Sequence, residues 1–241
     1  MNSRYAVIPA RYASCRFPGK PLALLNGKPV LRHVYERVLS SELFDEVIIA
    51  TDDLRIAAVA QDFGATVVLT SEDLPSGTDR TAAVAEVLEP DSIILNVQGD
   101  EPMIDKAALQ TLLSAFDDPD VKMASLMTPI ANLEELKNPN VVKVVTDVYG
   151  DAMYFSRSLI PFDRDHESRR VYYRHIGVYG FKHSALMQFV KYPPGVYEQI
   201  EKLEQLRALE NGLKIRMCKT DYQGLGIDTP QDLEKLSQLI F

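Results

Sequence analysis

What the sequence has little of narrows its class first. It holds two cysteines, Cys15 and Cys218. Two thiols so far apart give neither a disulfide framework nor a metal-site spacing, which points to a reducing, cytoplasmic setting. No apolar run approaches the roughly 20 residues that a membrane helix needs. The N-terminal stretch MNSRYAVIPARYAS is broken by Pro9 and Arg11 and does not read as a secretion signal. Positive charge is not in excess: the formal net charge is −8, which argues against general nucleic-acid binding. Two phosphate motifs are missing as well. Lys20 is followed by Pro21, so there is no P-loop, and no G-x-G-x-x-G supports a dinucleotide fold. Acid is absent from the start of the chain, where no Asp or Glu precedes Glu36.

That last absence frames what is present. Within IPARYASCRFPGK (8–20), Arg11, Arg16 and Lys20 cluster without any acid. The 241 residues, 46% hydrophobic and 25% charged, suffice for one large α/β domain or for one domain with a smaller appendage. Up to about residue 120, β-branched runs alternate with helical patterns. Strands are expected at Tyr5–Pro9, Glu46–Asp52, Ala65–Thr70 and Ser92–Gln98. Helices are expected at Val30–Leu39, Ile56–Phe63, Thr78–Leu88 and Asp105–Phe116. This rhythm implies a mostly parallel sheet with helices on both faces. From 121 to 215 the pattern changes to strands at Met123–Thr128, Val141–Thr146, Ala152–Ser156 and Ile176–Phe181, read as a mixed-sheet extension. One helix is expected from Glu198 to Asn211, stopping at Gly212. Residues 216–241 return to the core with a last helix that Thr229 caps, Asp232 completing a capping box.

Ligands of an open parallel sheet bind at the carboxyl ends of its strands, and the most distinctive strings lie there. After the first strand, small residues let backbone amides approach an anion, and Arg11, Arg16 and Lys20 supply charge for phosphate oxygens. The strand ending in NVQGDEP (96–102) delivers Gln98, Gly99, Asp100 and Glu101 to its carboxyl end, and a carboxylate there, near bound phosphates, is a natural Mg²⁺ ligand. A turn that simply ends the strand accounts for the same residues equally well. Asp228 lies one residue outside the cap of the last helix and is a candidate metal ligand. SGTDR (76–80) opens a helix whose N-terminus favours anions. Arg157, Arg174, His175, Glu204 and Gln205 are uninformative alone, and His175 reads by default as a structural or surface histidine. Cys15 reads as a small filler residue.

Together these strings resemble the sugar-activating cytidylyltransferases, specifically the 3-deoxy-manno-octulosonate (Kdo) cytidylyltransferase family. The resemblance rests on IPARYAS-R-PGKPL (8–22), NGKP (26–29), ATDD (50–53), SGTDR (76–80) and NVQGDEPMI (96–104). It continues through NPN-VKVV-D (138–147), YFSRS-IP (154–161), RHIGVYGF (174–181), LEQLRALENG-KI (203–215) and GIDTP-DL (226–233). It covers nearly the whole chain in unbroken order, and departs at Cys15, where the family usually has Thr or Ser. It implies a Rossmann-like nucleotidyltransferase fold and the reaction of CTP with Kdo to CMP-Kdo and diphosphate, with Mg²⁺, for lipopolysaccharide biosynthesis. It implies that Arg11, Ser14, Arg16 and Lys20 hold the CTP phosphates, and that Ser76, Gly77 and Arg80 position the nucleotide. Asp100 and Asp228 would bind Mg²⁺. Gln98, Arg157, His175, Tyr179, Glu204 and Gln205 would line the sugar-acid pocket. It also implies a homodimer, with 121–215 serving sugar binding and dimerisation.

Such a transfer joins two anions, so cations must offset their repulsion and the charge on the leaving diphosphate. That accounts for a basic first loop in an acidic chain. Two other readings stay open: a relative using 8-amino-Kdo, another sugar acid or another nucleoside triphosphate, and a non-catalytic nucleotide-binding module. The module would keep the basic loop but lose the metal ligands.

Overall fold

The computed structural model describes residues 2–13, 17–130, 132–165, 171–224 and 226–239. Strand β1 (Arg4–Ala10) is followed by a short hairpin of β2 (Leu24–Leu25) and β3 (Lys28–Pro29), then helix α1 (Val30–Ser40). β4 (Glu46–Thr51), α2 (Leu54–Asp62), β5 (Thr66–Leu69), α3 (Gly77–Ala85), β6 (Ile93–Asn96) and α4 (Lys106–Ser114) complete the alternating half. The second half begins with β7 (Met123–Pro129), α5 (Leu133–Lys137), β8 (Lys143–Thr146), β9 (Ala152–Ser156) and β10 (Tyr173–Lys182). It closes with α6 (His183–Phe189), α7 (Val196–Glu201), α8 (Leu206–Glu210), β11 (Arg216–Lys219) and α9 (Pro230–Leu239).

One sheet runs through the molecule in the order β11-β7-β10-β6-β1-β4-β5, with β8 and β9 branching from β10. β6, β1, β4 and β5 are parallel neighbours, as are β7 and β11. β10 runs antiparallel between β6 and β7. The fold class is as the sequence leads one to expect: a mostly parallel α/β sheet with a mixed extension. Strands from 1–120, 121–215 and 216–241 all lie in this one sheet.

Alternation along the strands builds two cores. Ala6, Ile8 and Ala10 of β1 face one side with Leu31, Val34 and Val38 of α1 and Leu109 and Leu112 of α4. Val7 faces the other with Ala82 of α3, Leu186 and Phe189 of α6, and Leu206 of α8. The period of two that sends successive side chains to opposite faces thus places helices on both. Among the described residues no helix is long and apolar enough to cross a membrane.

The expected helix over 198–211 is two helices. Lys202 adopts φ 54°, ψ 48° and ends α7. The left-handed residue breaks the 3.6-residue period, and the turn it makes sends Leu203 into the core and the Glu204 carboxylate to Thr78 of α3. Arg207 then ties the two pieces, pairing with both carboxylate oxygens of Glu198 at 2.9 and 2.6 Å. β11 and α6 have no counterpart among the elements expected from the sequence.

Candidate active site

Two close backbone approaches shape the floor of the site. β1 and β6 run parallel, and Val97 N–H donates to Val7 O at 3.0 Å. Two residues further on, a Cβ at Gly99 would lie 2.9 Å from Pro9 O, so only glycine lets the chain leave β6 there. The loop after β1 returns through Gly19, whose φ of +71° suits glycine and whose N–H donates to Tyr12 O at 2.9 Å. That turn delivers Lys20 over the carboxyl ends of both strands. From the far end of the chain, Ile227 N–H donates to Asp100 O at 2.9 Å, and the buried Ile227 side chain packs with Leu25, Val30 and Leu236. The α9 segment is thereby docked so that Asp228 arrives beside Asp100.

The result is a charged centre made from three distant parts of the sequence. Lys20 Nζ lies 2.5 Å from Asp100 Oδ2 and 3.9 Å from Asp228 Oδ1. The lysine is mostly covered, Asp100 less so, and the Asp228 side chain is half exposed. Two carboxylates thus converge on one cation. Glu101, the next residue, feels the same concentration of negative charge. Its enclosure, together with the neighbouring Asp100 carboxylate, raises its pKa to about 7, while the Tyr222 hydroxyl, donating at 2.6 Å, works the other way.

A cleft of about 210 Å³ opens over this centre. It brings together Arg11, Lys20, Gln98, Asp100 and Asp228, and on its far wall Ser76, Gly77 and Arg80 from the start of α3. Ser76 caps α3 by accepting from Asp79 N–H at 3.1 Å, and the helix N-terminus faces the cleft. Arg80 is buried and fixed: it pairs with Asp52 at 3.0 Å, donates to Ser71 O at 3.3 Å and also to the Thr70 hydroxyl. Ser14, Arg16 and Cys15 lie outside the described residues.

The residues expected on the sugar-acid side divide. His175 lines a neighbouring cavity of about 420 Å³ that shares Asp228 with the cleft and is walled by Glu101 and Arg174. Its ring packs edge-on against Phe155, with centroids 5.0 Å apart, and tilted against Tyr179 at 5.4 Å. Ser125 Oγ donates to the Ile176 and Val178 carbonyls of a β-bulge in β10, at 3.1 and 2.9 Å. With its one proton so used, Ser125 accepts from His175 Nε2–H at 2.9 Å. His175 Nδ1 then accepts from Gln205 Nε2 at 3.4 Å, and Gln205 Oε1 accepts from the Tyr179 hydroxyl at 3.2 Å. Burial pushes the imidazole down to about 3, and this network holds it neutral. Glu204 lies elsewhere, accepting from the Thr78 hydroxyl at 2.6 Å. Burial raises its pKa, and nearby hydroxyls oppose that. Arg157 is not among the residues lining either cavity. Its guanidinium donates to the carbonyls of Glu201 at 2.7 Å, Pro139 at 3.0 Å and Lys202 at 3.3 Å, and so secures the turn between α7 and α8.

Asp52, Thr78, Asn96 and Tyr222 have no role legible in the sequence, and Glu101 is marked there only as a carboxylate at a strand end. Asp52, Thr78, Asn96 and Glu101 sit inside the strings ATDD, SGTDR and NVQGDEP, so their place in the chain was marked. Nothing in a linear string separates a buried polar residue from an exposed one.

A model of the cytidylyltransferase family matches residues 5–215. The 3-deoxy-manno-octulosonate cytidylyltransferase of Solibacter usitatus is 50% identical over 97% of this chain and 92% of its own. That of Geobacter sulfurreducens is 48% identical over 96% of each. The solved structure of CMP:2-keto-3-deoxy-manno-octonic acid synthetase complexed with CTP superposes with a TM-score of 0.94, at 43% identity, over 99% of this chain and 98% of the other. A 4-diphosphocytidyl-2C-methyl-D-erythritol synthase from Anaerococcus prevotii shares the fold, with a TM-score of 0.64 at 16% identity, over 99% of this chain and 98% of the other. Similarity at this level, over this length, shows that the chain belongs to the 3-deoxy-manno-octulosonate cytidylyltransferase family.

Proposed function

We infer that the protein catalyses the reaction of CTP with 3-deoxy-manno-octulosonate to CMP-Kdo and diphosphate, activating the sugar acid for lipopolysaccharide biosynthesis. The observation that carries this reading is the convergence of Lys20, Asp100 and Asp228 beneath a cleft walled by Arg11, Arg80 and the N-terminus of α3. In the reaction the anomeric hydroxyl oxygen bonds to the α-phosphorus, the bond from that phosphorus to the bridging oxygen breaks, and the hydroxyl proton is released. Arg11 and the backbone amides at the start of α3 bind the anionic chain. Lys20 stands where charge develops on the diphosphate. Such fixed cations stabilise a transition state more than mobile solvent does. Holding nucleophile, phosphorus and leaving group in line supplies much of the remaining rate.

Mg²⁺ fits the donor set. Two carboxylates already share one cation here, in the form of the lysine ammonium, and Mg²⁺ asks for one or two carboxylates beside phosphate oxygens and waters. With two carboxylates from the protein, phosphate oxygens and waters would complete the shell. When bound by Asp100 and Asp228, the ion supplies Lewis-acid stabilisation of phosphate charge. On the acceptor side His175 lines the neighbouring cavity, held by Gln205 and Tyr179, and the Glu204 carboxylate keeps one oxygen for a hydroxyl of a polyhydroxy acid.

A homodimer is supported by the exposed apolar side chains of Met153 on β9 and of Val196, Tyr197 and Ile200 on α7. Tyr154 and Tyr197 stack edge to face at 6.0 Å, which joins these two elements into one surface. The free thiol of Cys218 is consistent with a reducing, cytoplasmic setting. Diphosphate release tests the reading, with CTP, UTP, ATP and GTP paired in turn with Kdo, 8-amino-Kdo and other sugar acids. The expected result is turnover with CTP and Kdo that chelator abolishes and Mg²⁺ restores. Binding of CTP without turnover on any sugar acid would overturn it in favour of a nucleotide-binding module.

A further inference from the structure

A buried chain of side chains leaves the nucleotide cleft and ends at Glu204. Gln98, on the cleft wall, donates from Nε2 to Asn96 Oδ1 at 3.0 Å. Asn96 donates from Nδ2 to Thr78 Oγ1 at 3.1 Å. Thr78 donates its proton to Glu204 Oε2 at 2.6 Å. All three bonds run in one direction, from the amide in the cleft to the carboxylate. Asn96 and Thr78 are fully covered, at 0% and 1% exposure, so water does not compete for these partners. At the far end, Glu204 Oε1 is shielded from solvent and has no hydrogen-bond partner. The hydroxyl of Ser76 donates to Asp79 at 2.7 Å, while lying near enough to the Glu204 carboxylate to favour its charged form. An unpaired carboxylate oxygen in such a place costs stability unless a ligand donor meets it.

We propose that Thr78 and Asn96 are positioning residues, which lock the Gln98 amide in the nucleotide cleft and the Glu204 carboxylate on the acceptor side into one hydrogen-bonded unit. The proposal rests on the reaction assigned above, with Glu204 Oε1 accepting from a hydroxyl of the acceptor sugar. Polarity is what the unit transmits. The carboxylate at its end can only accept, so Thr78 must donate to it. Thr78 oxygen is then free only to accept from Asn96, and Asn96 oxygen only to accept from Gln98. This fixes which way the Gln98 amide is turned. Its oxygen stays close to Gly77, where a Cβ would lie 3.2 Å away. Such a chain is satisfied as a whole or not at all, because each group is desolvated and each depends on the next.

The test compares Thr78→Val, which keeps the shape and removes the hydroxyl, with Thr78→Ser, which keeps the hydroxyl. Wild-type turnover with CTP and Kdo is measured first. Its failure would remove the assigned reaction, whereas the variants judge the hydrogen-bonded chain alone. Thr78→Val should raise KM for the sugar acid and lower kcat/KM about tenfold or more, as for loss of a hydrogen bond to a charged group. Its Kd for CTP by calorimetry should change less than the KM for the sugar acid, since Arg11, Lys20 and the backbone amides at the start of α3 are untouched. Thr78→Ser should restore the wild-type values. Asn96→Leu, with the same branching and number of heavy atoms, should raise the same KM, and decides the matter if Thr78→Val does not fold. Unchanged sugar-acid kinetics in a folded Thr78→Val or Asn96→Leu protein, or an equal loss in Thr78→Ser, would overturn the proposal.

Discussion

Asp100 and Asp228 come from distant parts of the sequence yet flank one ammonium group. Unscreened, two carboxylates beside a triphosphate repel it, and a divalent ion reverses that sign. Asp100→Asn and Asp228→Asn should therefore each lower turnover on the order of a hundredfold or more, with the fold intact. The double variant should be little worse than either single one, because both act through one site. Steady-state diphosphate release with circular dichroism checks this, and additive losses would count against a shared ion. His175 leads to a second expectation. Its folded pKa of about 3 lies below the ordinary value of 6.5, so the unfolded chain takes up the proton first. Stability is then full above about pH 6.5 and is lost as pH falls from there toward 3. Replacing His175 with Gln should flatten this acid limb. Between pH 7 and 5 the wild type should lose up to about 2 kcal/mol relative to the variant, and less if the ring's remaining exposure relieves its burial. Urea unfolding at both pH values measures it, and parallel curves would refute it. The burial-raised carboxyls of Glu101 and Glu204 work in the opposite sense, since they hold protons in the folded state as pH rises. The single variant is therefore more telling than the wild-type profile.

Among the elements, β1 and β6 matter most because they approach so closely where they end. Replacing Gly99 with Ala would put a methyl 2.9 Å from Pro9 O and force the two strand ends apart. It should cost about 1–3 kcal/mol, as overpacking does, and should weaken CTP binding because Gln98 and Asp100 flank the position. Urea midpoint and calorimetric Kd report the two effects, and a variant matching wild type in both would show that the approach is loose. The strands and helices of the first half were legible because each is a local pattern: alternation for β4, an apolar stripe for α1, a Ser cap before α3. The break at Lys202 was not, because the segment's apolar spacing continues across it and only tertiary contacts of Leu203 and Glu204 select the left-handed turn. β11 is short and charged at both ends, and only its pairing with β7 makes it a strand. The cleft residues were legible because they cluster at strand ends. At Arg157 the string is silent on the local contacts: an arginine in a matching string does not reveal that backbone carbonyls hold its guanidinium.

On the scale of the whole molecule, the exposed apolar side chains of β9 and α7 are where the proposed homodimer would join. Ile200 is 73% exposed. Ile200→Asp should turn a dimer into a monomer without loss of the fold, because a charge placed within an apolar interface is costly to desolvate. Light scattering after size exclusion reads the mass directly, and a monomeric wild type at micromolar concentration would dispose of the idea. The place of β10 has a further consequence for how the chain is made. β6, whose residues Ile93–Asn96 are all buried in the finished sheet, gains its neighbour on one side from β1, already synthesised. On its other side it waits for β10, and so for Lys182 to leave the ribosome. Until then a strand of sequence IILN presents an open, apolar edge, the template on which nascent chains join one another. Slow translation between residues 97 and 172 would prolong that exposure, so yield on expression, rather than the stability of the folded protein, is where this topology should be felt.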